Sequence, residues 1–403
     1  MADFYRAGFG MKKVVEPLLK DAYHSTLVAD IVKNGNRIVD GDTTVLLAQA
    51  FGFCYGVDRA VQYAYETRNK FPDKTIYITN EIIHNPFVNR KLQEMGVRFL
   101  IGRDRGGFEM DEVQAGDIVL LPAFGATIPA IEELKKKEAV LVDTTCGSVV
   151  NVWKNVEKYA REQITSIVHG KIYHEETRAT VSRVATYPGA HYLVLRDEEE
   201  AEVPCHYIMH GGDKAEFLKR YSYAVSPDFD PDVHLGRVGC ANQTTMLSSE
   251  SLKIGEMFKE AIRARYGEAE VADRFRAFDT ICSATQERQD AMYKLVTERP
   301  EIILVIGGYN SSNTTHLAEI AVKKQVPSYH IEDSSCLMDV DTIRHLPVGS
   351  KKEEEVKGWL PRGPLRIGIT AGASTSNFTV GETIGRLLEF RHALAEMTAS
   401  VVR

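Results

Sequence analysis

The chain has 403 residues, 44% apolar and 26% charged, with six cysteines and a formal net charge of −7. That length suits two or three domains of an ordinary soluble globular protein. The acidic balance excludes a generalised nucleic-acid footprint, and no apolar run approaches the ~20 residues that span a bilayer.

Residues 1–40 read as mixed and polar, with helix-like stretches and no compelling site. Met1 to Lys20 lacks the apolar core of a signal peptide and the Ser/Arg richness of a transit peptide. A cytoplasmic protein, or a mature chain, is expected. From Thr43 the pattern becomes regular. Thr44–Ala48 predicts a buried strand and Val57–Arg68 a helix. Further strands are predicted at Thr75–Ile78, Asp117–Leu121, Ala139–Val142, Thr165–Val168 and Tyr192–Leu195. Two more follow at Ile302–Ile306 and Arg366–Thr370. Short β-branched strands alternating with longer helical patterns indicate α/β units with parallel sheets. In such folds ligands gather at the carboxyl ends of strands.

The expected division is an N-terminal extension (1–42), three α/β domains (43–145, 146–280, 281–375) and a C-terminal helix (376–403). The run Lys351–Lys357 is expected to be a solvated loop or helix.

Six cysteines are too sparse for a disulfide scaffold, and no pair has CxxC spacing for a zinc knuckle. Cys205, Cys240 and Cys336 read as small buried residues. Cys54, Cys146 and Cys282 differ. Each ends a short apolar or strand-like run and opens a helix-like stretch: Gly52-Phe53-Cys54-Tyr55-Gly56, Asp143-Thr144-Thr145-Cys146-Gly147 and Asp279-Thr280-Ile281-Cys282-Ser283. Three thiolates from three such junctions could hold one four-iron cluster and leave one iron open to substrate.

Polar clusters recur at the strand ends. Asn80-Glu81-Ile82-Ile83-His84-Asn85 and His169 to Thr177 carry histidines that can donate to phosphate oxygens. Asn310-Ser311-Ser312-Asn313-Thr314 and Ala371-Gly372-Ala373-Ser374-Thr375 are denser than helix caps require. Exposed N–H groups with several hydroxyls at a helix start make an anion site, and a diphosphate would satisfy it without net positive charge. Glu176 is the candidate acid, since a carboxyl shut away from water keeps its proton more readily. An exposed helix glutamate is the plainer alternative.

Together these motifs, with Gln243-Thr244-Thr245, resemble the 4-hydroxy-3-methylbut-2-enyl diphosphate reductases, the LytB/IspH family of isoprenoid synthesis. The match runs from about residue 44 to about residue 380 in a cyanobacterial or plastid-like form. The resemblance implies a trefoil of three α/β domains with small, mostly parallel sheets around a central 4Fe–4S cluster. It implies one cluster per chain, held by Cys54, Cys146 and Cys282, with one iron not bound by a protein side chain. It places the substrate diphosphate against His84, His174, Ser311, Ser312, Asn313 and Ser374. Glu176 would be the proton donor, with Thr244 in the relay. The activity implied is reductive dehydroxylation of the allylic diphosphate to isopentenyl and dimethylallyl diphosphate, the last step of the non-mevalonate pathway. A ferredoxin or flavodoxin would supply electrons.

The chain departs from the family pattern in three places. Phe124 stands where many members have a histidine, so one phosphate contact is lost or replaced. Gly147 stands where many have proline. His169 is a weaker match than His174. Two other readings remain at this stage: a non-catalytic iron–sulfur redox sensor, and a cluster-free enzyme acting on phosphate esters.

Overall fold

The structure, a computed structural model, describes residues 3–278 and 280–401. Asp279 of the third cysteine motif, and the extreme ends of the expected N-terminal extension and C-terminal helix, lie outside the described residues. The chain forms two compact units. One gathers Met1–Ala7, Asp73–Ile82 and Gly96–Cys282; the other gathers Gly8–Pro72, Ile83–Met95 and Ser283–Arg403.

The first unit contains two parallel sheets. One orders its strands Phe4–Tyr5, Val140–Asp143, Ile118–Leu121, Ile76–Ile78 and Val97–Phe99. The other orders them Phe275–Ala277, Val238–Asn242, Thr165–His169 and Tyr192–Leu195. The strands Ile118–Leu121 and Thr165–His169 are buried along their whole length. That fits parallel strands covered on both faces, which need apolar runs rather than alternation.

The second unit holds one five-stranded sheet, ordered Ser328–Ile331, Ile302–Ile306, Leu365–Ala371, Thr43–Leu47 and Arg37–Asp40. Only the pairing of Arg37–Asp40 with Thr43–Leu47 is antiparallel within it. The buried side chains of Leu304, Ile367, Ile369 and Val45 centre its core, joined by Ile384 and Leu387 from the helix Asn377–Val401. Arg391 of that helix is buried and donates to Thr43 Oγ1 (2.8 Å) and Asp42 Oδ1 (2.9 Å). No helix among the described residues is long and apolar enough to cross a membrane.

The strand leading to Cys54, Thr43–Leu47, pairs parallel with Leu365–Ala371, Leu46 opposite Gly368. A parallel neighbour is reached by a crossover, so sequence proximity does not choose it. The charge run Lys351–Lys357 is half an edge strand: Glu354–Lys357 pairs antiparallel with Thr342–His345. Its charges suit a strand edge facing solvent, where they discourage further pairing.

His191 and His234 stack in the first unit with ring centroids 3.5 Å apart. His191 Nδ1 meets Ser226 Oγ (2.9 Å), and His234 Nδ1 accepts the Asp230 N–H (2.8 Å). Burial lowers both pKa values below the ordinary 6.5; the neighbouring His191 lowers that of His234 further. Asp228 acts against the shift on His191, and Asp230 against that on His234, where Lys214 adds to it. A histidine with a depressed folded pKa contributes stability above its unfolded pKa, lost as pH falls through the folded value. Stability to urea should therefore decline as pH drops below about 6.5. The decline should be shallower in His234→Asn; equal slopes in the two proteins would show that the stacked pair does not titrate on unfolding.

Candidate functional site

Each unit carries its own group of sequence-predicted residues. In the second unit Cys54, Ser311 and Ser374 lie beyond the carboxyl ends of Thr43–Leu47, Ile302–Ile306 and Leu365–Ala371, and His84 lies just before the helix Pro86–Glu94. Cys54 is the N-cap of the helix Tyr55–Lys70, and Ser311 that of Ser312–Lys323. The helix start at Cys54 presents the positive end of its macrodipole, which favours an anionic ligand atom.

Backbone contacts fix these loops against one another. The Cys54 N–H donates to the Ala373 carbonyl at 3.1 Å. The Ala373 N–H donates to Asn313 Oδ1 at 2.9 Å. The Ser374 hydroxyl donates to the His84 carbonyl (3.2 Å), and Asn85 Nδ2 donates to the Ser374 carbonyl (2.6 Å). Gly52 adopts φ +76°, and a Cβ there would meet Asn377 Oδ1 at 2.6 Å. Its carbonyl accepts from the buried Arg288 guanidinium at 2.5 Å. Gly308 is needed for close approach: a Cβ there would lie 2.7 Å from the His84 carbonyl oxygen. One network thus joins Cys54, His84, Asn313 and Ser374.

The Asn313 amide is buried, and with Oδ1 engaged its Nδ2 has no hydrogen-bond partner among the described residues. A buried, unsatisfied donor is costly, and an anionic ligand oxygen would satisfy it. Ser311 Oγ accepts from the Thr314 N–H (3.4 Å) and hydroxyl (2.9 Å), the cap that its position predicts. Ser312 Oγ lies 3.3 Å from His316 Nε2, and His316 Nδ1 lies 2.6 Å from Glu319. Behind the loop, burial pushes His330 down to about 4; the neutral ring donates from Nε2 to the Gly307 carbonyl at 3.0 Å.

In the first unit, Cys146 is the N-cap of Gly147–Arg161, and its N–H donates to the Ala123 carbonyl (2.8 Å). Gly147 is thus the first residue of a regular helix, so glycine at this position is compatible with the turn. The buried Glu176 accepts from the Thr244 N–H at Oε1 (2.6 Å) and from the Thr244 hydroxyl at Oε2 (3.0 Å). The Thr244 carbonyl in turn accepts the Cys282 N–H at 3.2 Å. This single residue therefore binds both the candidate acid and a candidate ligand loop. An exposed helix glutamate at 176 is ruled out.

His174 caps the helix Glu175–Val184, its Nδ1 accepting the Glu176 N–H at 3.2 Å. That leaves Nε2 as the protonated nitrogen of the neutral ring. Phe124 packs edge-on against His174, with centroids 6.2 Å apart. Phe124 is buried, so where a histidine would offer a hydrogen bond this chain offers an apolar wall to His174. Glu175 turns to Asn80, accepting from its Nδ2 at 2.6 Å. His169 is drawn into a separate contact, 2.7 Å from Ser251 Oγ and 3.6 Å from Glu250, which sets it apart from His174.

The cysteines divide as their contexts predict. Cys54, Cys146 and Cys282 are half-buried and each immediately precedes a helix. Cys205, Cys240 and Cys336 are buried; burial pushes the Cys205 thiol up to about 12 and raises that of Cys240 as well. Cys205 and Cys240 are protonated packing groups. Sequence reasoning gave no role to Asn85, Gly308 or Arg288. Gly307-Gly308 was the available signal; nothing in the sequence marked Arg288.

Curated relatives match nearly the whole chain. The chain is 49% identical over 392 residues to a 4-hydroxy-3-methylbut-2-enyl diphosphate reductase of Gloeobacter violaceus, covering 96% of this chain and 93% of the relative. It is 47% identical over 388 residues to the enzyme of that name in a Cyanothece species, covering 96% and 94%. Among solved structures it is similar to an (E)-4-hydroxy-3-methyl-but-2-enyl diphosphate reductase described as the terminal enzyme of the non-mevalonate pathway. That likeness has 27% identity and a TM-score of 0.50, covering 86% of this chain and 99% of that one. A likeness of fold alone links it to the E-1-hydroxy-2-methyl-but-2-enyl-4-diphosphate reductase of Plasmodium falciparum, at 21% identity and a TM-score of 0.60, covering 85% and 86%. The model of the LytB protein family matches residues 45–388, and by that span and those relatives the chain belongs to the LytB protein family.

Proposed function

We propose that this chain reductively dehydroxylates 4-hydroxy-3-methylbut-2-enyl diphosphate to isopentenyl and dimethylallyl diphosphate. In the net reaction one allylic C–O bond breaks, two electrons and two protons enter, and water leaves. The observation that carries the reading is Glu176, buried and bracketed by the Thr244 N–H and hydroxyl, while the Thr244 carbonyl holds the Cys282 amide. An acid so placed next to a ligand loop suits protonation of a departing oxygen.

Cys54, Cys146 and Cys282 would hold a 4Fe–4S cluster. When bound, it supplies electrons and a Lewis-acid iron without a protein ligand. The remaining work falls to side chains. The Thr244 hydroxyl can donate to a carboxylate or accept from a carboxylic acid, so its contact with Glu176 serves both charge states. It can therefore pass a proton from Glu176 to the leaving hydroxyl. Asn313 Nδ2, the hydroxyls of Ser311, Ser312 and Ser374, and the imidazoles of His84 and His174 would bind the diphosphate. Binding there, remote from the breaking bond, orients the substrate and lowers the barrier through fixed geometry. Phe124 would keep one side of His174 dry, strengthening its bond to a phosphate oxygen. Electrons would come one at a time from a ferredoxin or flavodoxin in the cytoplasm or plastid stroma. A non-catalytic redox sensor would leave the Glu176–Thr244 pair and the unsatisfied Asn313 amide without purpose.

Replacing any of Cys54, Cys146 or Cys282 by serine should abolish turnover and lower the iron content of anaerobically purified protein. Iron content and dye-oxidation rates like those of the unmodified chain would refute the ligand assignment. Glu176→Gln should retain iron and bind substrate, yet turn over ~10²–10⁴-fold more slowly. Near-normal turnover in Glu176→Gln would mean that another group is the acid.

A further inference from the structure

The helix Lys12–Tyr23 belongs to the N-terminal segment, where the sequence offers no catalytic motif. Its last residue, Tyr23, is buried, 6% exposed, at the centre of a row of rings in the second unit. Tyr23 lies 5.5 Å from Phe53, 6.0 Å from Phe87 and 6.1 Å from Tyr65, centroid to centroid. Its hydroxyl shares a 3.1 Å hydrogen bond with that of Tyr65. Phe87 stacks in turn on Phe378 at 5.5 Å and 15°.

The positions of these rings in the chain give the row its meaning. Phe53 immediately precedes Cys54. Phe87 lies in the first turn of the helix capped by Asn85, three residues after His84. Phe378 lies in the first turn of the helix that follows Ser374. Tyr65 lies on the helix that Cys54 caps. One tyrosine of the N-terminal segment therefore touches the Cys54 and His84 loops directly, and reaches the Ser374 loop through Phe87. Neighbouring contacts hold the segment down beside it. The Phe9 N–H donates to the buried Glu66 at 2.6 Å, and a Cβ on Gly8 would collide with Tyr63 and Glu66 of the same helix.

We infer that Tyr23 is a positioning residue: through Phe53, Phe87 and Phe378 it sets the spacing between the Cys54 thiol and the loops proposed to bind diphosphate. This rests on the proposed function above. Rings in edge and stacked contact resist sliding, so they transmit position rather than merely filling volume. Residues behind a ligand shell typically change affinity 10–100-fold when altered.

The test uses anaerobically purified, iron-loaded protein, titrated with inorganic diphosphate by calorimetry and timed for iron release to a chelator. Tyr23→Leu should weaken diphosphate binding about tenfold or more and speed iron release by a similar factor. Tyr23→Phe keeps the ring contacts and should stay within about twofold on both readouts. Phe378→Leu removes the ring at the far end of the row. It should weaken diphosphate binding while leaving iron release unchanged, a split that general destabilisation would not produce. Native values in Tyr23→Leu would overturn the inference. Losses in Tyr23→Phe as large as those expected of Tyr23→Leu, or equal effects of Phe378→Leu on both readouts, would also overturn it. An unmodified chain that binds neither iron nor diphosphate would instead sink the functional reading on which the inference stands.

Discussion

The arrangement of the second unit turns on one backbone residue. Ala373 accepts the Cys54 N–H and gives its own N–H to Asn313. Three loops from distant parts of the sequence thereby share one anchor. Because peptide groups make these bonds, most substitutions at the anchor leave them in place; movement of the backbone does not. The bond from Ala373 also fixes which way the Asn313 amide faces, leaving its nitrogen as the group available to a ligand. Rotamer preference alone would not distinguish the two ends of an amide.

The first unit solves a related problem with Thr244. Its amide and hydroxyl serve the two oxygens of Glu176 and its carbonyl serves the Cys282 N–H, so the candidate acid and the Cys282 loop are positioned by the same few atoms. The Glu176 side chain is buried, and both of its oxygens accept hydrogen bonds from this one residue.

Much of this was legible in the sequence. Buried strands such as Ile302–Ile306 show as unbroken apolar runs rich in β-branched residues, and the polar clusters at the helix starts that follow mark where a parallel sheet presents its ligands. Cys54, Cys146 and Cys282 stood apart from Cys205, Cys240 and Cys336 by context before their burial was known. Sheet membership was not legible, because Thr43–Leu47 carries the same apolar pattern whichever parallel partner it takes. Glu176 was singled out over its neighbour Glu175, and the turn of the helix does send Glu175 to Asn80 and Glu176 to Thr244. Arg288 gave no signal, since a helical arginine normally faces water, and here its partner is a carbonyl some 236 positions away.

The pairing of Thr43–Leu47 with Leu365–Ala371 also bears on how the molecule is made. A ribosome adds roughly 320 residues after the first of these strands before the second appears, about 15–60 s at ordinary elongation rates. Throughout that interval an apolar β-strand has one edge without its native parallel neighbour and is a hazard for aggregation. Nascent-chain chaperones would be most needed in this window.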